Sequence, residues 1–344
     1  MSRPALKVTL HPFRLKLKKP LVTGATQIRH RQGVLVELSS DGISGWGEAS
    51  PLPGWSRSGL AETETALHGV AEELAVTGES GLGALLNGMS GSPHARAALA
   101  GAWWDLRARR AGQTLATYLI TAFSSTGSAL VYVPQSGPLP APQSAPQSVP
   151  QEVNVNALIA ASTPAEVEQA VHDAIGAGFT TVKLKVAAAT PAIDIERIKA
   201  ARTRLGTVGE LRLDANGAWD EATALDVLRQ VQHCDVAYCE EPVAGIDALA
   251  ALSQRSPVAL AADESIRSRV DAARALQAGI EVLIVKPQAL GGPDIALEVL
   301  DCVRQADARA TVTSFLDSAV GLAHALQVAA VADTINSPQA HGLS

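Results

Sequence analysis

The chain has 344 residues, is 47% hydrophobic and carries a formal net charge of −6, enough for a large core in two domains or in one barrel with an added piece. The mild acidic surplus gives no reason to expect nucleic acid or an anionic membrane as partner, and no apolar run approaches the roughly 20 residues that span a bilayer. Three cysteines (Cys234, Cys239, Cys302) at spacings that suit neither a disulfide framework nor zinc, and a start broken by Arg, Lys and Pro rather than shaped as a signal peptide, lead to the expectation of a soluble cytoplasmic protein.

In chain order, residues 33–48, "GVLVELSSDGISGWGE", read as two strands joined at Asp41-Gly42, a dipeptide suited to a tight hairpin. Residues 92–112 read as a helix that Ser92 and Pro93 begin and Gly112 ends. Strands followed by helices suggest a small α+β domain. Residues 134–151 repeat Pro-Gln-Ser three times with almost nothing to bury, the composition of a spacer.

Beyond the spacer the pattern alternates. Strand candidates begin at residues 153, 181, 210, 236, 257, 281 and 309, separated by Ala-, Leu-, Glu- and Arg-rich segments at helical spacing. Seven such units predict parallel strands with helical crossovers. No Gly-rich dinucleotide turn follows the first strand, which favours an α/β barrel over an open nucleotide-binding sheet.

Charged residues stand at the C-terminal ends of these strands: Lys183 and Lys185, Asp214, Glu240 and Glu241, Asp263 and Glu264, then Lys286. The steps from Lys185 to Asp214, Glu240, Asp263 and Lys286 are 29, 26, 23 and 23 residues, one βα unit apiece. In a barrel those ends converge on one face. Three carboxylates brought together repel unless a cation sits among them, and all-oxygen donors favour a hard ion such as Mg²⁺, with Mn²⁺ as a substitute. In "TTVKLKV" the two lysines share a strand face, so the Lys183 ammonium would help keep Lys185 deprotonated and able to act as a base. A proton α to a carboxylate that is roughly ten pKa units less acidic than the accepting ammonium costs on the order of 14 kcal/mol to remove, more than an amine alone can meet. Glu241 and Glu264 are read as solvated or capping groups, His233, His324 and His341 as surface or packing residues, and Cys239 as a small buried residue.

Lys183-Leu184-Lys185, "LDANGAW", "YCEEPV", "AADES" and "VKPQALGG", with "AWWDLRARRAGQTL" before them and "SFLDSAVGL" and "HGLS" after, resemble the enolase superfamily in its muconate-lactonizing-like branch. The resemblance implies a (β/α)7β TIM-like barrel at residues 153–344, an α+β capping domain at 1–123 and a linker at 124–152. It implies Asp214, Glu240 and Asp263 as Mg²⁺ ligands, Lys185 as acid/base on one face of a small carboxylate substrate and Lys286 as the amine on the other. Loops at "PLVTGAT" and "SPLPGWS" would choose the substrate. Within the branch, "VKLKVA", "AADESIR" and the Leu-Gly-Gly after Lys286 are most similar to members that dehydrate a succinyl-cyclohexadiene carboxylate to an aromatic acid on the way to menaquinone.

Three departures stand out: Ala319 where relatives often carry a hydroxyl, the spacer itself, and an end at "HGLS" near the expected eighth strand. A racemase or epimerase of the same branch would use the same five residues. A Schiff-base aldolase with Lys286 or Lys185 as nucleophile, and a non-catalytic relative, are the readings from other classes. A monomer and a homo-oligomer fit equally.

Overall fold

The computed structural model describes residues 6–22, 27–126 and 148–343. Its chain divides into two compact units: residues 1–152, 286–301 and 312–335 in the first, and 153–285, 302–311 and 336–344 in the second. Most of the linker expected at 124–152 lies outside the described residues, as does most of "PLVTGAT".

In the first unit, β1 (Lys7–Val22), β2 (Gln27–Ser40) and β3 (Ile43–Ala49) form an antiparallel sheet in that order. The β2–β3 turn is the expected Asp41-Gly42 hairpin, with φ 55° and 75°, the two left-handed residues that let a tight turn follow the twist of the strands. β1 was not anticipated from the sequence: Pro12 and scattered Lys and Arg hide its alternation. Four helices follow: α1 (Leu60–Thr77), α2 (Leu82–Gly88), α3 (Pro93–Arg110) and α4 (Leu115–Thr126). α3 is the helix expected at 92–112, with Pro93 opening it. It packs on β3 at backbone distance, because a Cβ at Gly45 would strike the main chain of Ala102 and Leu106, and one at Gly47 that of Ala98 and Ala102.

In the second unit the strands are β4 (Ala157–Ile159), β5 (Thr181–Lys185), β6 (Glu210–Asp214), β7 (Val236–Glu240), β8 (Leu260–Ala262), β9 (Val282–Val285) and β10 (Arg309–Val312). They alternate with α5 (Pro164–Gly176), α6 (Pro191–Leu205), α7 (Glu221–Gln230), α8 (Ile246–Ser253) and α9 (Arg269–Gln277). Beyond β9 come α10 (Pro287–Leu290) and α11 (Pro293–Gln305), and beyond β10 comes α12 (Ala319–Ile335). The seven strands lie side by side in chain order, and the registered pairs from β4 to β9 are parallel. The near-continuous burial of β8 and β9 is what a sheet covered on both faces demands. This is the α/β, TIM-like barrel architecture expected.

At the end of the chain, His341 bridges Val155 in parallel, with Asn156 N–H donating to His341 O (2.9 Å) and His341 N–H donating to Asn154 O (2.8 Å). The buried Arg212 holds Ala340 O at 2.5 Å. His341 therefore pairs with residues 154–156, just ahead of β4.

Candidate active site

Lys183 and Lys185 alternate with the buried Leu184 on β5 and share a face. Parallel register then sets a row: Lys185 pairs with Asp214 on β6, and Asp214 with Glu240 on β7. All three are the last residues of their strands, and Asp263 follows the end of β8 directly. Lys183 Nζ lies 2.8 Å from Glu240 Oε2 and 3.1 Å from Asp214 Oδ2, and Lys185 Nζ lies 3.0 Å from that same Asp214 oxygen. The two ammonium groups thus converge on one carboxylate, as the "KLK" spacing implied.

Asp214, Glu240 and Asp263 are each at most 3% exposed. Burial pushes the Glu240 carboxyl up to about 7, with Asp214 and Asp263 adding repulsion and Lys183 opposing it. Burial acts to discharge Lys183, but Glu240, Asp214 and Asp263 outweigh it and hold the ammonium well above the usual lysine range. Three buried carboxylates stand against two lysines, and the donor atoms the carboxylates offer are all oxygen. That set fits a hard divalent cation in charge and donor type. Among the described residues no trio of His, Cys, Asp or Glu side chains is gathered into a ready metal cage: Asp214 and Glu240 face Lys183 rather than a common centre.

Two residues of the site escaped the sequence reading. Glu241 is 1% exposed, not solvated. Its carboxylate accepts from Asp263 N (2.7 Å), Gly245 N (3.3 Å) and the Ser265 hydroxyl, and so fixes the turn that carries Asp263. Asn216, at φ 48°, accepts from Lys185 Nζ (2.6 Å) and donates to Glu264 (3.0 Å), which is therefore engaged rather than merely capping. The "DANG" and "EE" runs hold the signal: an Asn in a left-handed turn, and a second acid where one would serve. The remaining expectations on packing stand. Cys239 and His341 are fully buried, His324 is half-buried, and His233 is exposed.

Lys286 directly follows β9 and belongs to the first unit. It is the residue before α10, and its Nζ lies 6.0 Å from the ring centroid of Phe315. Around Phe315 is a second set of buried polar groups. Arg31 donates to Ser50 O (2.5 Å), Pro51 O (3.1 Å), Leu316 O (2.7 Å) and Phe315 O (3.4 Å). Asp317 accepts from Phe315 N (2.9 Å), and His94 stacks on the Phe315 ring at 5.5 Å.

Burial and the nearby Glu48 push the Asp317 carboxyl up to about 7, while burial and Arg31 push His94 down to about 4. From about pH 4 to 6.5, folded Asp317 keeps a proton that the unfolded chain loses, so its contribution to stability falls as pH rises. Over the same window folded His94 lacks a proton that the unfolded imidazole holds, so its contribution rises and the two oppose each other. Asp317→Asn removes one side of this balance. Urea titrations of the variant are expected to show stability climbing more steeply than wild type between pH 4.5 and 6.5. At pH 8 the variant should be the more stable by about 1–3 kcal/mol; equal stability at pH 8 would show that Asp317 ionises normally.

Comparison with known proteins settles the family. The model of the enolase C-terminal domain-like family matches residues 166–342. The chain belongs to the enolase superfamily. Within it the chain falls in the mandelate racemase and muconate-lactonizing branch, and the model described as MenC, N-terminal domain matches residues 5–85 of this superfamily member. An o-succinylbenzoate synthase of Thermobifida fusca (strain YX) is 37% identical over 193 residues, which are 55% of this chain and 58% of that relative. The match spans little more than half the relative's length.

Among solved structures, the L-Ala-D/L-Glu epimerase from Bacillus subtilis is similar with a TM-score of 0.82, 21% identity, and coverage of 98% of this chain and 89% of its own. The dipeptide epimerase from Enterococcus faecalis V583, complexed with Mg and the dipeptide L-Leu-L-Tyr, gives 0.82, 22%, 98% and 90%. At such identities the likeness shows the superfamily fold. Members of the superfamily bind Mg²⁺. Among the described residues of this member, no helix is long and apolar enough to cross a membrane.

Proposed function

We propose that this enolase-superfamily member is an o-succinylbenzoate synthase, a hydro-lyase that dehydrates 2-succinyl-6-hydroxy-2,4-cyclohexadiene-1-carboxylate to o-succinylbenzoate on the route to menaquinone. The observation that carries the chemistry is the row Lys185, Asp214, Glu240 at three consecutive strand ends, with Lys183 ion-paired beneath it. The substrate rests on the matched N-terminal model and the 37% identical synthase.

Lys185, as the neutral amine, takes the proton α to the substrate carboxylate, and the C–H electron pair passes into an enediolate. Those electrons then form the ring double bond as the C–O bond breaks. The Lys185 ammonium gives its proton to the departing hydroxyl, which leaves as water. Lys183, held charged by Glu240 and Asp214, fixes those two carboxylates beside the Lys185 amine. Lys286 is the cation over the ring on the opposite side, a cation–π partner for the intermediate. Asp214, Glu240 and Asp263 would hold Mg²⁺, which when bound supplies positive charge against the second negative charge that builds on the carboxylate. Because the product ring is aromatic, elimination runs downhill and the intermediate sets the barrier.

The second reading is an N-succinylamino acid racemase or dipeptide epimerase, favoured by the epimerase structures that share the fold. There Lys185 and Lys286 would act as bases on opposite faces. Paired assays separate the two. One follows loss of the cyclohexadiene absorbance, the other racemisation of N-succinyl amino acids and of L-Ala-L-Glu, each with Mg²⁺ and with EDTA. Dehydration as the faster, EDTA-sensitive reaction supports the synthase; racemisation as the faster one replaces the substrate and keeps the site.

The metal assignment has its own measurement. Mg²⁺ at a hundred times its Kd is expected to stabilise the folded chain by about 2.7 kcal/mol, and Asp263→Asn should abolish that shift. An equal shift in the variant would remove Asp263 from the ligand set.

A further inference from the structure

The first unit holds a buried carboxylate that the proposed chemistry does not use. Glu48 of β3 is 2% exposed. Its Oε1 accepts from Ser318 N (2.8 Å), and its Oε2 accepts from Ser318 Oγ (2.5 Å) and Gly321 N (2.8 Å). Ser318 immediately precedes α12 and Gly321 is the third residue of that helix, so Glu48 satisfies N–H groups that the start of any helix leaves without partners. A residue just ahead of the helix normally does this; here Ser318 Oγ accepts from Val320 N (3.3 Å), and the acceptor for Gly321 N comes from a strand more than 250 residues earlier in sequence. The fold makes room for it, since a Cβ at Gly321 would approach both Asp317 and Glu48 Oε2.

Glu48 has a second grip through its main chain. Its carbonyl accepts from Gln288 Nε2 at 2.6 Å. Gln288 sits in α10, the single turn that opens on Lys286: the N–H groups of Ala289 and Leu290 both donate to Lys286 O at 3.0 Å. On the other side, Ser318 ends the loop that carries Phe315, the ring on which the Lys286 ammonium rests. One residue therefore holds the backbone turn that launches Lys286 and the loop that presents the surface under its amine. A cavity of about 20 Å³, room for a single water, lies among Glu48, Gln288, Asp317 and His324.

We propose that Glu48 is a positioning residue for Lys286, acting through its paired grips on Gln288 and on the start of α12. The proposal rests on the reading of Lys286 as the amine that faces the reacting ring. A charged group is costly to bury, and three hydrogen bonds to one carboxylate make its placement rigid. The rigidity is transmitted to the direction in which Lys286 leaves the chain.

The test uses the full chain with Mg²⁺ and two readouts. The first is the rate at which a small acylating reagent labels the Lys286 amine, read by mass spectrometry against Lys199, whose side chain is 40% exposed, as internal standard. Glu48→Gln is expected to change labelling of Lys286 at least about threefold and leave Lys199 unchanged. The second is kinetics: Glu48→Gln should lower kcat about ten- to a hundredfold with KM nearly constant, as a displaced reacting group does. In a Lys286→Ala background the same substitution should lose that effect.

Unchanged labelling, or an equal loss of kcat with and without Lys286, overturns the proposal and leaves Glu48 a helix cap. Undiminished activity in Lys286→Ala with altered labelling in Glu48→Gln instead removes the catalytic reading of Lys286, while the positional link stands. If Glu48→Gln does not fold, Gln288→Leu severs the α10 grip alone and is expected to change Lys286 labelling in the same way.

Discussion

Lys185→Ala is expected to lower kcat for the dehydration about 10²- to 10⁴-fold, the range lost when a positioned general base is removed. Its side chain is 30% exposed and shares Asp214 with Lys183. Removal therefore leaves Asp214 with a lysine partner, and the melting temperature should stay near wild type. The loss should appear in kcat and kcat/KM alike, because the interaction belongs to the transition state. Lys183→Met is the informative contrast. It strips the buried partner from Glu240 and Asp214 together, so it should cost stability as well as rate. A Lys185→Ala enzyme that keeps full activity would move the base to Lys286 and reverse the faces of the proposed reaction.

Asp294→Ala is expected to destabilise the chain by about 3–5 kcal/mol in urea unfolding, the cost of stranding one member of a buried ion pair. Arg96 is 8% exposed and spends its donors on four acceptors: Leu86 O (3.1 Å), Gly291 O (2.6 Å), Asp294 Oδ1 (2.9 Å) and Asp294 Oδ2 (2.8 Å). Without Asp294, a guanidinium held in place by two carbonyls keeps only the weaker attraction of Glu298 in a buried setting. Replacing both partners by apolar residues, Arg96→Met with Asp294→Leu, should recover most of the loss, since the penalty lies in the unpaired charge. A single variant as stable as wild type would mean that water reaches Arg96 in solution.

Local pattern made some of this legible and distance hid the rest. A strand end reports itself: a short run with buried apolar residues closing on Lys185, Asp214 or Glu240 recurs at the length of one βα unit, and parallel register then lines those ends up without further information. The hairpin at Asp41-Gly42 was readable for the same reason, because its geometry depends on two residues. β1 was not, since its Lys and Arg positions break the alternation that marks a half-buried strand. Glu241 looked solvated because a doubled acid gives no sign of which carboxylate turns inward, and its partners Asp263 and Ser265 follow the next strand of the sheet. Asp294 and Arg96 are 198 residues apart, and nothing in either neighbourhood names the other. Whether "LGGPDIA" packs with the strands before it or with the N-terminal sheet is a tertiary fact, and the sequence reading assigned it by adjacency to residues 153–344.

That packing bears on how such a protein can change by recombination. The chain crosses between its two compact units five times, so neither unit is a continuous stretch of gene. A single crossover near residue 152 with a relative would import 286–301 and 312–335 from one parent and the sheet and helices they complete from the other. Arg96 would then meet a foreign residue at 294, and Arg31 foreign carbonyls at 315 and 316. Variation in the loops of the first unit can accumulate by substitution, but exchange of that unit as a cassette requires three segments to travel together. Chimaeras built on that rule should fold, and chimaeras cut once should not.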